Sequence, residues 1–260
     1  MNGIEPQATL RVGTLKVKVY RSTGEMGRAA AEHAAGRMIA LAGGMDSLAM
    51  IFATGASQLA MLSALTAAPD LPWNKVVGFH MDEYLGISEN HPASFRRYLR
   101  ENLTRRVPMR EFHGIDGTPA QAEQTCRTYA ELLRSHAPRV CLLGIGENGH
   151  LAFNDPAEAD FNDPLDIKIV ALDDVCRQQQ HSEGWFSSLA EVPQRAITLT
   201  IPTLFRVPEL ILSVPGPRKA HIVKRTLEES ISTACPATIL RTHPNATVYL
   251  DRDSAAELNL

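Results

Sequence analysis

Short apolar runs alternate with longer helical patterns along the chain, and this alternation constrains the fold more than any other feature. Eight runs have strand character: 15–20, 50–54, 76–81, 140–145, 166–172, 196–201, 209–214 and 247–251. Five stretches between them predict helices: 22–41, 57–68, 92–106, 118–136 and 217–230. Nearly continuous apolar strands that alternate with helices are typical of a mostly parallel sheet. We therefore predict an α/β, three-layer sandwich with helices covering both faces of that sheet.

Two of the predicted helices begin at recognisable capping residues. Ser22 and Glu25 have the spacing of a capping box, and Thr118 with Pro119 fits the N-cap and first helical positions. The length of 260 residues fits one large α/β domain or two small ones. Because the sequence contains no internal repeat, low-complexity segment or linker, we predict a single domain over residues 1–260.

The composition excludes several classes of protein. A formal net charge of −3 lacks the basic footprint of nucleic-acid binding, so no nucleic-acid partner is expected. No apolar run approaches the roughly 18 residues that span a bilayer, and residues 1–10 lack the pattern of a signal peptide. We therefore expect no membrane partner.

The cysteines and histidines give no sign of a disulfide framework or a metal site. The cysteines are widely separated and form no C-x-x-C pair: Cys126, Cys141, Cys176 and Cys235. We interpret them as reduced thiols of a cytoplasmic protein. The nine histidines are equally dispersed, and none clusters with cysteine or glutamate at zinc-ligand spacing. We therefore expect no metal ligands.

Polar or glycine-rich residues follow four of the predicted strands directly. These segments are 54–57, 82–84, 146–150 with 154–156, and 215–219. In an open parallel sheet, ligands bind outside the carboxyl ends of the strands. The four segments should therefore share one edge of the sheet and form one site.

Two of these segments suit an anion. Thr54, Gly55, Ala56 and Ser57 form a small-residue turn before a helix, where free backbone N–H groups favour a phosphate. Lys219 lies in the first turn of another helix, an unfavourable place for a cation unless an anion is nearby. The alternative is a solvated lysine and an ordinary tight turn. The segment is not a Walker loop, because the required Gly-Lys-Ser/Thr is missing.

The other two segments suit proton transfer. Asp82 follows a buried strand, where partial desolvation could raise its pKa towards that of a useful base. His150 lies in a glycine-containing loop near Asn148 and Asp155, and a carboxylate such as Asp155 could fix its tautomer. The alternatives are a helix cap or turn for the aspartate and a structural role for the histidine.

These motifs together resemble the glucosamine-6-phosphate deaminase family. The resemblance is carried by 79–84 (FHMDEY) with 91–95 (HPASF), and by 144–150 (GIGENGH) with 152–156 (AFNDP). Residues 216–220 and the pair His243-Pro244 also fit, and the similarity extends from about residue 40 to 258. It implies a Rossmann-like sandwich that converts glucosamine 6-phosphate and water into fructose 6-phosphate and ammonia. The family uses no metal or organic cofactor, so none is expected for this chain.

The resemblance also implies residue roles. Asp82 would move a proton between C2 and C1 of the open-chain sugar, and His150 would assist opening of the pyranose ring. The phosphate would be held by 54–57, Lys219 and, through an alignment that needs a small gap, Arg177. Residues at about 160–190 would form a mobile lid. The motif neighbours Glu83 and Gly149 are expected at the substrate site.

The chain departs from the family pattern beside the histidine. Well-studied members have aspartate where Asn148 stands and glutamate where Asp155 stands. Only one of the two carboxylates that flank the histidine therefore remains in this part of the sequence, on an arm one methylene shorter. The resemblance leaves open whether Asn148 and Asp155 preserve full ring-opening activity.

Other functions remain open at this point. A 6-phosphogluconolactonase shares the fold and a Gly-x-Gly…Gly-His motif, although residues 153–156 (FNDP) favour the deaminase. A galactosamine-6-phosphate enzyme would act on a substrate that differs at one hydroxyl. A non-enzymatic sugar-phosphate sensor is less favoured, because no helix-turn-helix precedes the first motif and Asp82 and His150 are both present. The sequence is compatible with a homo-oligomer and does not determine the number of copies.

Overall fold

The computed structural model describes residues 4–260. Residues 1–3 of the predicted domain lie outside the described residues. The strands are β1 Ala8–Val12, β2 Leu15–Tyr20, β3 Leu48–Phe52, β4 Val76–His80, β5 Asp82–Tyr84, β6 Glu111–His113, β7 Val140–Leu143, β8 Ile167–Ala171, β9 Arg195–Leu199, β10 Glu209–Val214 and β11 Ala246–Asp251. The α-helices are α1 Thr23–Ala42, α2 Leu59–Ala67, α3 Phe95–Leu99, α4 Ala122–His136, α5 Asp174–Ser182, α6 Ile201–Phe205 and α7 Ala220–Glu228.

The main sheet has eight strands in the order β1-β2-β11-β10-β7-β3-β4-β6. Every neighbouring pair is parallel except the hairpin of β1 and β2. Three of its central strands, β10, β7 and β3, are buried along their whole length. Such strands are mostly apolar on both faces, as these are apart from Glu209 and Ser213 of β10. The predicted α/β fold with a mostly parallel sheet is confirmed.

Two hydrophobic cores lie on opposite faces of this sheet. Along β3, Met50 and Phe52 pack in the core beneath α1 and α2, while Ala49 and Ile51 pack in the core beneath α4 and α7. This alternation follows from the two-residue period of a strand. The predicted three-layer sandwich is therefore confirmed.

A second, three-stranded sheet corrects the prediction for two strands. The predicted strands 166–172 and 196–201 do not join the main sheet; they form β8 and β9, which pair antiparallel with each other and with β5 in the order β5-β9-β8. Its β8 is only partly buried, which fits a strand at the margin of the fold. A third core, which includes Tyr84, Phe153 and Phe186, lies under this sheet.

Several helix boundaries differ from the predicted ones. Ser22 caps α1 as expected, with its side chain accepting from the backbone N–H of Glu25, whereas Thr118 makes no side-chain cap bond. The predicted helix 92–106 begins only at Phe95, after the cap Ser94, and changes to π-type hydrogen bonding at 100–104. No helix in residues 4–260 combines the length and apolar character that crossing a bilayer requires.

Candidate active site

The four polar segments meet at one edge of the main sheet around a cavity of about 390 Å³. Seven of the predicted site residues line it: Thr54, Gly55, Ala56, Ser57, Asp82, His150 and Lys219. The other five lie outside the lining: Glu83, Asn148, Gly149, Asp155 and Arg177. The parallel order of β10, β7, β3 and β4 brings the segments together, because the carboxyl ends of these strands point the same way.

Two glycine turns flank the central strand of the site. Gly55 follows β3 and Gly216 follows β10, and these two strands lie on either side of β7. Both glycines have a positive φ, 92° and 91°, and both open a 3₁₀ turn that leads into a helix. Glycine is the residue that adopts this conformation without strain. The two turns therefore bring residues 55–57 and 216–219, just before α2 and α7, to the same cavity.

Lys219 supplies a buried positive charge between these turns. Only 7 % of the residue is exposed, and the residue lines the cavity. Burial lowers the pKa of Lys219, although the nearby carboxylates Glu147 and Glu183 oppose that effect. A buried ammonium is costly unless an anion joins it. The lysine therefore suits a bound phosphate.

Asp82 lies where the chain passes from the main sheet to the small sheet. It is 7 % exposed, and its buried Oδ1 has no hydrogen-bond partner in the described chain. Burial, assisted by the neighbouring Glu83, raises the pKa of Asp82 well above its ordinary value. A carboxylate whose charge is poorly solvated has a strong tendency to take up a proton. Asp82 is thus equipped to act as a base.

Glu83 points away from the cavity, into the protein. Its carboxylate accepts hydrogen bonds from the backbone N–H groups of Tyr84, Phe95 and Arg96 and from the hydroxyl of Ser94. Burial raises the pKa of Glu83, while these hydrogen bonds oppose the increase. The residue therefore fixes the start of α3 beside the site, and its predicted substrate contact stays a prediction.

His150 is held in the cavity by Asp155 and by a glycine. Its Nδ1 lies 2.9 Å from Oδ1 of the fully buried Asp155. A Cβ atom on Gly146 would lie 2.2 Å from the ring of His150. The imidazole therefore rests directly on the backbone of the loop after β7. Burial alone would raise the pKa of Asp155, but hydrogen bonds from His150 and Asn148 outweigh it and lower that pKa.

Asn148 and Gly149 shape the loop that carries His150. The side-chain oxygen of Asn148 accepts from the backbone N–H of His150 at 3.1 Å, and not from its ring. Gly149 has φ 89°, and a Cβ atom there would lie 2.8 Å from the sulfur of Cys235. Both residues are therefore structural parts of the loop, and their direct contact with a substrate stays a prediction.

Arg177 lies on α5 and uses its guanidinium within the predicted lid. Its Nη2 donates to the carbonyls of Leu189 and Val192 at 2.9 and 3.3 Å, and its Nη1 lies 3.3 Å from Asp174. These contacts fasten the segment after α5 to the helix. The phosphate contact that the resemblance implies is not seen in this conformation and stays a prediction.

The sequence patterns missed the cavity residues contributed by helices. Gln179, Gln180 and Glu183 line it from α5 and the residue that follows, and Thr23 lines it from the start of α1. Gln179 accepts from the backbone N–H of Glu147 and donates to Glu183. The sequence offered no signal for them, because the burial of the two glutamine amides is visible only in the structure.

One group of metal-type donors forms in space that the sequence spacing does not reveal. Donor atoms of His150, Asp155 and Cys176 lie within 4.8 Å of one another. The Asp155 oxygens already accept hydrogen bonds from Asn148 and from the backbone N–H of Asp173, and one of them lies 2.9 Å from Nδ1 of His150. A metal at this point would have to displace those bonds.

Comparison with known proteins agrees with this geometry. A sequence model described as "Glucosamine-6-phosphate isomerases/6-phosphogluconolactonase" matches residues 21–249. A glucosamine-6-phosphate deaminase of an Exiguobacterium species is 32 % identical over 213 residues, 82 % of each chain. One from Bacillus thuringiensis is 32 % identical over 202 residues, 78 % of this chain and 75 % of the relative.

Solved structures give the same result. A protein described as a monomeric glucosamine-6-phosphate deaminase superposes with a TM-score of 0.84 at 27 % identity, covering 93 % of this chain and 99 % of its own. The 6-phosphogluconolactonase of Trypanosoma brucei superposes with a TM-score of 0.75 at 18 % identity, covering 96 % of this chain and 100 % of its own, and this shows the shared fold. The chain belongs to the glucosamine-6-phosphate isomerase/6-phosphogluconolactonase family.

Proposed function

We propose that the protein is a glucosamine-6-phosphate deaminase, which converts glucosamine 6-phosphate and water into fructose 6-phosphate and ammonia. The observation that carries this proposal is the unpaired buried oxygen of Asp82, which shares one cavity with His150 and with the largely buried Lys219. The relatives that are 32 % identical are named for this activity.

The phosphate group occupies the positively polarised end of the cavity. The turn 54–57 offers backbone N–H groups at the start of α2, and Lys219 offers a largely buried positive charge. Binding at the phosphate supplies energy remote from C1 and C2, which positions these carbons for reaction. Arg177 would join the phosphate only after a rearrangement of the lid, which we place at about 160–190.

His150 opens the pyranose ring. It transfers a proton from the C1 hydroxyl to the ring oxygen, so that the C1–ring oxygen bond breaks and a C1 aldehyde forms. Asp155 holds Nδ1 of the imidazole at 2.9 Å, which leaves the other ring nitrogen for the substrate. Carboxylate support of this kind also stabilises the ring while it carries the extra proton.

Asp82 then moves a proton between the two carbons. It removes the proton from C2 while O1 receives a proton from the 2-ammonium group of the substrate, so that an enolamine with a C1–C2 double bond forms, and Asp82 then delivers its proton to C1. The C2 carbon is left as an iminium, and addition of water followed by loss of ammonia gives the ketose. A positioned base contributes roughly 10²–10⁴-fold to such a step, and the raised pKa of Asp82 favours the first proton transfer.

The assembly and location are part of the same proposal. The four cysteines are free thiols in the structure, which supports a cytoplasmic site of action. The superposed deaminase is described as monomeric, whereas the expectation of a homo-oligomer is untested. Light scattering of the purified protein measures its mass in solution directly.

Ammonia release from glucosamine 6-phosphate tests the proposal, with galactosamine 6-phosphate and 6-phosphogluconolactone as competing substrates. We expect ammonia from an amino-sugar phosphate and no acceleration of lactone hydrolysis. Asp82→Asn should abolish ammonia release while retaining the binding of inorganic phosphate, as measured by isothermal titration calorimetry. Lactone hydrolysis without ammonia release would replace the proposal with the lactonase alternative.

A further inference from the structure

The sequence leaves one carboxylate near His150, but the structure brings a second one from another element. Asp173 precedes α5 and is its N-cap, with Oδ1 accepting from the backbone N–H of Cys176 at 2.7 Å. Its other oxygen, Oδ2, accepts from Nδ2 of Asn148 at 3.0 Å. The backbone N–H of Asp173 donates to Oδ2 of Asp155 at 3.3 Å.

Asn148 connects the two carboxylates. Its Nδ2 group donates to Oδ1 of Asp155 and to Oδ2 of Asp173, both at 3.0 Å, while its Oδ1 accepts from the backbone N–H of His150. The side chain at position 148 therefore faces two carboxylate acceptors on one side and one backbone N–H donor on the other. Only an amide satisfies all three contacts. Aspartate at this position would bring a third carboxylate to within 3.0 Å of two others.

We propose that Asp173 is a positioning residue for His150, acting through Asn148 and Asp155; its catalytic consequence rests on the proposed function. Asp155 contacts the His150 ring with one oxygen and the backbone N–H of Asp173 with the other. Asp173, which caps α5, therefore orients Asp155, and Asp155 in turn orients the imidazole of His150. In this network Asn148 supplies the amide and Asp173 supplies the second carboxylate.

The matched variants are Asp173→Ser and Asp174→Asn. Serine is as good an N-cap as aspartate, so Asp173→Ser keeps the cap of α5 and removes the contact with Asn148. Asp174→Asn removes the same charge one residue later, from a side chain that is 91 % exposed and does not touch Asn148.

The first measurement is the ¹⁵N NMR signal of the His150 ring nitrogens, assigned with His150→Gln. We expect Asp173→Ser to shift these signals and Asp174→Asn to leave them at the wild-type positions. The second measurement is kcat/KM for ammonia release, which we expect to fall about 10-fold or more in Asp173→Ser, a part of the roughly 10²–10⁴-fold that positioned acid–base groups supply.

Exchanging the amide at position 148 with the carboxylate at position 173 gives an independent test. Asn148→Asp should lower kcat/KM, and adding Asp173→Asn should restore at least about 5-fold of it, because the amide and the carboxylate have changed places. Purely additive losses would overturn the proposal, as would unchanged ring signals in Asp173→Ser. Shifted ring signals with undiminished kcat/KM would also remove the positioning role.

The two proposals fail separately. If the wild-type protein releases no ammonia from any amino-sugar phosphate, the proposed function is wrong. The ring signals of Asp173→Ser and Asp174→Asn still decide whether Asp173 orients His150.

Discussion

At the scale of single residues, the site places charged groups where the protein solvates them poorly. Asp82 has an unpartnered buried oxygen, and Lys219 carries its charge on a side chain whose pKa burial lowers. Each of these arrangements costs stability in the free protein. Each is also relieved by a reaction partner, since Asp82 gains from a proton and Lys219 gains from an anion. Function therefore explains two features that folding alone does not favour.

The raised pKa of Asp82 predicts a pH dependence of both activity and stability. Activity needs the carboxylate, so kcat/KM should fall as the pH drops through the raised pKa, well above the ordinary aspartate value of about 3.9. Stability has the opposite sign. Because the folded state binds this proton more tightly than the unfolded state, the contribution of Asp82 to stability is greatest at low pH and is lost as pH rises through the folded pKa.

The measurement is the melting temperature of Asp82→Asn and of the wild-type protein between pH 4 and pH 8. A pKa that differs by one between the folded and unfolded states changes the free energy of unfolding by about 1.4 kcal/mol. Because Asn cannot ionise, we expect Asp82→Asn to be more stable than the wild-type protein at neutral pH and to lose that advantage in acid. A difference in melting temperature that does not vary with pH would contradict this explanation.

At the scale of elements, the predicted lid consists of a strand and a helix that sequence reasoning only partly found. The strand β8 was predicted but assigned to the wrong sheet, because its antiparallel pairing with β9 depends on contacts distant in sequence. The helix α5 was not predicted, since its apolar residues are few. The long apolar strands β3 and β10 were found because burial on both faces requires continuous apolar sequence.

The candidate site was predictable to a similar degree. Thr54, Asp82, His150 and Lys219 follow strands directly, so the sheet topology alone brings them to one edge. Asp173 and Gln179 come from α5, and neither strand order nor local spacing fixes where that helix docks. The contact between Asn148 and Asp173 spans 25 residues and depends on that docking.

The contacts of Arg177 predict that it braces the lid. Its guanidinium donates to the carbonyls of Leu189 and Val192, so Arg177→Ala should speed amide hydrogen exchange in residues 185–194. We expect the inhibition constant of inorganic phosphate to change less than 3-fold. Lys219→Met serves as the comparison, because it should raise that constant at least 10-fold. A similar increase in both variants would instead place Arg177 at the phosphate.

At the scale of the whole molecule, stability and function occupy opposite edges of the main sheet. Glu209 begins β10, at the end remote from the cavity, and its side chain is 4 % exposed. It lies 2.9 Å from Nε2 of His33 and 2.6 Å from Nε of Arg37, both on α1. This cluster around the buried Glu209 carboxylate attaches α1, the longest helix in residues 4–260, to the centre of the sheet.

The cluster predicts a change in stability without a change in catalysis. Arg37→Met leaves the buried Glu209 carboxylate with His33 as its remaining ion-pair partner in the described chain. We expect a loss of about 2 kcal/mol in the free energy of unfolding, below the 3–5 kcal/mol of fully buried pairs, because Arg37 is 40 % exposed. Urea unfolding measures this loss, with Arg28→Met on the same helix as control. A fall in kcat/KM would show that the two edges are coupled.

The passage of the chain between two sheets at Asp82 also bears on how such a protein can diverge. The glycine turns after β3 and β10 follow strands of the main sheet, whereas α5 lines the cavity through Gln179 and Gln180 and Asp82 lines it from the start of the small sheet. Mutations in α5 and the small sheet can alter which sugar hydroxyls are accepted without disturbing the phosphate anchor or the main core. Asp82 lies between the main sheet and the small sheet, at the start of β5. A lineage built on this plan can change its choice of sugar while keeping one proton-transfer chemistry.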